Sequence, residues 1–221
     1  MKKTICAALF AALAFGAFSD DYLFFGANYS NTIADKNVSH AIGGNFSSIG
    51  DYGGAKKLYA ALGFNYELTN RANLISDDFK KLGVNGLSMK SFALPIRIGY
   101  PVIPNITERT RFVFIPSLAF DILFFKASFS QSISGYNLNY NLSAFGYSLG
   151  ISANIGMMHQ IGKAYLRYGV DLDMPFFTML IYNISWTGSA SGATKDSQVS
   201  TIADYLTLTT SPYVAVGFRL R

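Results

Sequence analysis

The stretch LYAALGFNYEL, Leu58 to Leu68, sets Leu58, Ala60, Leu62, Phe64, Tyr66 and Leu68 on one parity and Tyr59, Ala61, Gly63, Asn65 and Glu67 on the other. Side chains alternate between faces along a strand, so the segment reads as a β-strand with one wholly apolar face and one face of small or polar residues. A soluble sheet would bury the apolar face against a second sheet, whereas a transmembrane barrel would turn it to lipid. The rest of the chain decides between them.

The N-terminal residues MKKTICAALFAALAFGAFSDDY carry Lys2 and Lys3, then an apolar run from Ile5 to Phe18, then Ala17 and Ser19 ahead of Asp20. This is the pattern of a secretory signal peptide over residues 1–19, leaving a mature chain of 20–221. The single cysteine, Cys6, falls inside it, so the mature chain is expected to use no disulfides. Without Lys2 and Lys3, 16 basic and 13 acidic side chains remain, a formal charge of +3 that is too mild to argue for nucleic acid. Charged residues make up 14% of the chain, against 50% hydrophobic and 15% aromatic, which is greasy and charge-poor for a soluble domain. Yet no later run reaches the ~18 apolar residues of a spanning helix. A membrane protein without membrane helices must be a closed barrel, because lipid offers no partner for a free backbone N–H or C=O.

Seven further segments carry the same alternation. They are YLFFGANYS near the start, the Gly- and Ser-rich 38–49, SFALPIRIGY, RFVFIPSLAFDILF, AFGYSLGISANIG, AYLRYGVDLDM and TTSPYVAVGFRL. In AFGYSLGISANIG, Phe145, Tyr147, Leu149, Ile151, Ala153 and Ile155 oppose Gly146, Ser148, Gly150, Ser152 and Asn154. A face of Gly and Ser cannot be half of a sandwich core, but it suits the inside of a narrow barrel. Eight strands is the smallest common closed size. With the mature N-terminus starting in the periplasm, the inner turns are expected at 50–56, 101–109 and 156–163. The outer loops then fall at 31–37, 69–86, 126–139 and 177–206, and three of these four are longer than every inner turn, as bacterial barrels have it. The apolar FFTMLIYNISW, 176–186, reads as an extension of the seventh strand above the membrane, since a further crossing would make the strand number odd. One all-β domain accounts for the whole mature chain.

This architecture, from the signal peptide to the final strand SPYVAVGFRLR, resembles the small eight-stranded outer-membrane barrels of the OmpA, OmpX and OmpW kind. The resemblance implies residence in the bacterial outer membrane, with lipid as one partner. It also implies recognition of the C-terminal strand by the barrel-assembly machinery. That strand ends here in Leu220 and Arg221, with Phe218 the last aromatic. An extracellular or small-solute ligand is a further expected partner of such proteins.

No catalytic, cofactor or metal site is expected. The mature chain has two histidines, His40 near the outer end of its strand and His159 in an inner turn, and no clustered Cys or His. The inward-facing charges are the candidate site: Arg97, Arg111, Arg167 and Arg219 in the periplasmic half, Asp171 near the middle, and Asp121 and Glu67 towards the outer end. Interior charges must be paired or wet, so they form either a network that closes the barrel or the lining of an anion-favouring conduit. Phe176, Phe177, Met179, Ile181 and Trp186 are a candidate hydrophobic entrance, as in the OmpW type. The expected role is structural or in surface interaction, with a narrow channel for small polar or hydrophobic solutes as the alternative.

Overall fold

The structure is a computed structural model that describes residues 22–34, 37–52, 56–68, 84–133, 136–188, 191–201 and 207–220. The expected signal peptide and nearly all of the expected 69–86 loop lie outside these. The strands are β1 (Tyr22–Ala34), β2 (Asn37–Tyr52), β3 (Lys56–Glu67), β4 (Val84–Gly99), β5 (Thr110–Ile133), β6 (Tyr136–Ile161), β7 (Ala164–Gly188), β8 (Ser191–Thr201) and β9 (Leu208–Arg219). From β1 to β7 each pairs antiparallel with the next, and β9 pairs with both β1 and the lower part of β7. Eight strands thus close into a barrel. The short β8 pairs with the upper part of β7, Met179 to Gly188, above the level at which β9 leaves it.

The register sets the shape. Following paired residues once round the wall leads from Gly169 through Tyr213, Asn28, Gly43, Asn65, Ala93, Leu123 and Gly146 back to Leu180, eleven residues further along the same β7. That stagger tilts the strands by about 40° and leaves a lumen that side chains can fill. One residue of the eleven is a bulge, where β6 and β7 shift register between Leu149 and Gly150 and Phe176 is left unpaired.

Parity divides the wall as the opening stretch implies. Phe64 and Tyr66 are exposed, as are Leu118 at 69%, Ile151, Val214, Val216 and Phe218, while Tyr59, Ser117, Ser148, Arg167, Tyr213 and Ala215 on the alternate positions are buried. An apolar face exposed all round a closed sheet has no second sheet to meet, so it faces lipid. On β5 it runs from Phe112 to Phe124, about 30 Å along the barrel axis, which fits a hydrocarbon layer of about that thickness.

Three expected outer loops contain strand, the third being 177–206, within which Ser191–Thr201 forms β8. Residues 31–34 with 37, and 126–133 with 136–139, continue the β1–β2 and β5–β6 ladders, because backbone pairing persists after the side chains turn polar. The stacked rings of Phe129 and Tyr140, 4.7 Å apart, hold the second hairpin together. Strands β5, β6 and β7, of 24, 26 and 25 residues, therefore reach about 60 Å along the axis and project well beyond the bilayer. The weakly patterned 38–49 is a full strand, held by β1 on one side and β3 on the other. The expected turn 156–163 shrinks to Gly162 and Lys163, with Gly162 at φ 63°, a conformation that glycine adopts without strain.

At the short-turn end the lumen is apolar, which the charge-centred sequence reading did not anticipate. Phe24, Ile49, Tyr59, Val113, Ile115, Met158, Tyr165, Tyr213 and Ala215 form one buried cluster. Ile103, from the connection between β4 and β5, packs against it. The connection is drawn in by bridges from Val102 to Phe114 and from Asn105 to Arg111. Gly156 and Gly169 face each other across β6 and β7 beneath Tyr213, where a Cβ on Gly156 would lie 2.9 Å from the Tyr213 hydroxyl and 2.2 Å from the Tyr168 carbonyl.

The lipid-facing assignment gives a direct test. Leu62→Arg, near the middle of the apolar face of β3, should cost about 2 to 4 kcal/mol. Leu62→Ala should cost markedly less. Urea unfolding in lipid vesicles measures both, and equal tolerance of the two would show that this face does not meet lipid.

Candidate functional site

The tilt of the wall decides which interior charges meet. Ala119 is the cross-strand partner of Arg97 and Pro95 that of Asp121, so Arg97 and Asp121 stand as diagonal neighbours on β4 and β5. Arg97 Nη1 donates to Asp121 Oδ1 at 2.5 Å and Nε donates to Asp173 Oδ1 at 2.8 Å, from β7 across the lumen. Its Nη1 also reaches the Ile96 carbonyl at 3.0 Å. One guanidinium fork thus bridges two carboxylates. Asp121 belongs to this mid-barrel layer and not to the outer end, and Asp173, absent from the expected set, is a full member of it.

The second cluster is centred on Asn154 of β6. Its Oδ1 accepts from Arg167 Nη2 at 2.6 Å and from the Tyr213 hydroxyl at 2.9 Å, while its Nδ2 donates to Asp171. Arg167 Nε donates to the Tyr213 hydroxyl at 3.2 Å. Its guanidinium carbon lies 5.5 Å from the Phe24 ring centroid and 5.2 Å from those of Tyr59 and Tyr213. Arg167 is 2% exposed, so this cation is held by aromatic faces and neutral acceptors, with Asp171 reached through the Asn154 amide.

Arg111 and Arg219 stand apart at the short-turn end. Arg111 Nη1 donates to the Tyr22 hydroxyl at 3.0 Å, and the two guanidinium carbons lie 5.9 and 6.0 Å from the Tyr22 ring. Glu67 accepts a bond from Ser91 at the opposite end. The expected single network is therefore three clusters and a distant carboxylate. Neutral bonds fill the lumen between them: Asn28 donates to Asn65 at 2.9 Å and to Ser30 at 3.0 Å, and Ser211 donates to Ser30 at 2.8 Å. No buried side-chain nitrogen or oxygen among the described residues lacks a partner. The pocket lined by Asn28, Asn65, Arg97, Asp171, Asp173 and Ser211 holds about 40 Å³, room for a few water molecules.

Three residues of the candidate hydrophobic entrance do not line the lumen. Phe177, Met179 and Ile181 pair with Leu149, Tyr147 and Phe145, and so share their outward face. The Tyr147 hydroxyl lies 3.2 Å from Met179 sulfur, and its ring 6.1 Å from that of Phe177. The bulge at Phe176, itself 61% exposed, reverses parity along β7 and carries these residues outside. Trp186 pairs through its backbone with Tyr140, further up. A wider groove of about 630 Å³, lined by Ile98, Pro116, Leu118, Ile151, Ala153 and Met174, also lies on the outer wall.

Both histidines face outward as well. His40 Nδ1 lies 2.8 Å from Asn31 Oδ1 and its ring stacks on Tyr29. His159 is in β6 and not in a turn; it lies 2.8 Å from the Thr110 hydroxyl and 3.0 Å from that of Tyr168. Among the described residues no three His, Cys, Asp or Glu side chains come together as a metal site.

The closed strand order and the exposed apolar belt define the class: an eight-stranded transmembrane β-barrel of the bacterial outer-membrane type. No family model and no curated relative matches the chain. Among solved structures it is similar to a major outer membrane protein from Thermus thermophilus, at 10% identity and a TM-score of 0.48, over 90% of this chain and 99% of that one. It is also similar to Neisserial surface protein A, at 12% identity and 0.41, over 91% and 98%. The attachment invasion locus protein Ail of Yersinia pestis follows at 9% identity and 0.42, over 92% and 100%.

The Arg97 fork carries a stability prediction. Arg97→Ala leaves two half-buried carboxylates facing each other and should cost about 3 to 5 kcal/mol in urea unfolding from vesicles. Adding Asp121→Asn and Asp173→Asn should recover much of that loss. If the triple variant were no more stable than Arg97→Ala, the carboxylates would not be what Arg97 compensates.

Proposed function

We propose that this chain is an integral outer-membrane protein with a structural and surface-interaction role, its lumen shut by its own side chains and its long hairpins held outside the cell as a binding surface. The observation that carries this reading is the filled lumen. Phe24, Ile115, Met158 and Arg167 are each at most 2% exposed across one end, and above them Arg97 ties β4, β5 and β7 together. A conduit needs a continuous wet path, and the pocket beside Arg97 holds about 40 Å³. The β5–β8 hairpins supply the displayed surface, carried on strands too long to serve the membrane alone. Short turns at the Gly162 end and extended hairpins at the other put the latter outside.

Two measurements test this. Purified protein in planar bilayers should give no discrete conductance steps. Protease added to intact cells should cleave within 187–201 and spare 156–163. Stable conductance with anion preference lost in Arg97→Ala would favour the channel, and the reverse cleavage pattern would invert the barrel.

A further inference from the structure

The outward face of β4, β5 and β6 changes character within one step. Phe92, Phe124 and Phe145 are paired in register, with ring centroids 6.0 and 5.4 Å apart. They end the apolar belt at its outer-loop edge, the level at which aromatic rings mark the boundary between hydrocarbon and headgroups. The next outward pair on β4 and β5 is Lys90 opposite Lys126. Both are exposed, and neither forms an ion pair with any described residue. Ser143 pairs with Lys126 on the β6 side, and Ser88 pairs with Ser128 in the row above.

Two like charges directly opposite on antiparallel strands destabilise a sheet, since their Cβ atoms stand only about 5 Å apart. Glu67 cannot relieve them, because it has the inward parity of β3 and bonds with Ser91, also inward. An anion outside the wall can. At this depth the anions present at high density are lipid phosphates, and a phosphate oxygen set between two ammonium groups accepts charge-assisted bonds from both. We propose that Lys90 and Lys126, with the hydroxyls of Ser88, Ser128 and Ser143 around them, form a binding site on the outer wall for the phosphate headgroup of a membrane lipid. The bound lipid's acyl chains then lie along the aromatic row Phe92–Phe124–Phe145. The site rests on the spanning orientation of the barrel and is independent of whether the lumen conducts.

The test uses the full mature protein folded into phosphatidylcholine vesicles containing a minor fraction of phosphatidic acid, with the lipid retained after gentle extraction measured by native mass spectrometry. Wild-type protein should retain phosphatidic acid several-fold above its share in the vesicle. Lys90→Gln with Lys126→Gln should abolish that enrichment, and Lys163→Gln, at the opposite end, should leave it intact. Persistence of the enrichment in the double variant overturns the site, as does equal loss in Lys163→Gln, which would mean only a general attraction of a basic protein. Retention of added inorganic phosphate in detergent, lost in the double variant without any lipid preference, overturns the lipid assignment. Resistance of the folded protein to extraction by urea is read in parallel: failure to insert would strike at the spanning barrel itself, whereas insertion without enrichment strikes only at the lysine site.

Discussion

Every other feature of this molecule depends on one constraint: in hydrocarbon, a backbone N–H or C=O without a partner costs several kcal/mol. A sheet meets that constraint only by returning to its first strand. Here β9 makes the return, pairing with β1 on one edge and β7 on the other. Once the ladder is closed, the apolar parity of each strand must face out and the small and polar parity must share a space whose width the strand number and stagger have already set.

That space is too narrow to be left open at the short-turn end and too polar to be wholly greasy, and the interior is layered accordingly. Aromatic and aliphatic side chains seal one end, and Ile103 is folded against them. Above the seal lies the Asn154 cluster, in which a cation is held by rings and by neutral oxygens. Above that, the Arg97 fork joins three strands. Each layer fixes the register of the strands it touches, since a slip of one residue would turn Arg97 or Arg167 into lipid and a phenylalanine into the lumen. Specificity of register is thus written in the same residues that fill the lumen.

Outside the membrane the physical demand changes. Strands β5 to β7 keep their ladders, but their outward faces turn from Phe, Leu and Ile to Lys, Ser and Asn within one or two residues. The backbone therefore stays paired where the environment no longer requires closure, and the long hairpins project the wall beyond the bilayer. Display on a paired backbone lowers the ordering cost of binding a partner, because less conformational freedom is lost on contact.

The sequence by itself determined the alternation in Leu58–Leu68 and its seven counterparts, the number of crossings, the outward face and the inward parity of Arg97, Arg111, Arg167 and Arg219, since each follows from period two along one strand. It also determined that 176–186 continues the seventh strand, by the even-number rule. Only the tertiary structure decided which interior charges meet. The partner of Arg97 depends on the stagger between β4, β5 and β7, which is a property of pairs of strands. Asp173 joined the fork and Asp171 went to the Asn154 amide, two residues apart on one strand and indistinguishable by parity. The single bulge at Phe176 moved Phe177, Met179 and Ile181 from an expected entrance to the outer wall, because an unpaired residue reverses every face beyond it and leaves no mark in hydrophobicity. The polar hairpin strands were read as loops for a related reason: backbone pairing needs no apolar pattern, so the ladder ran on where the signal in the side chains had stopped.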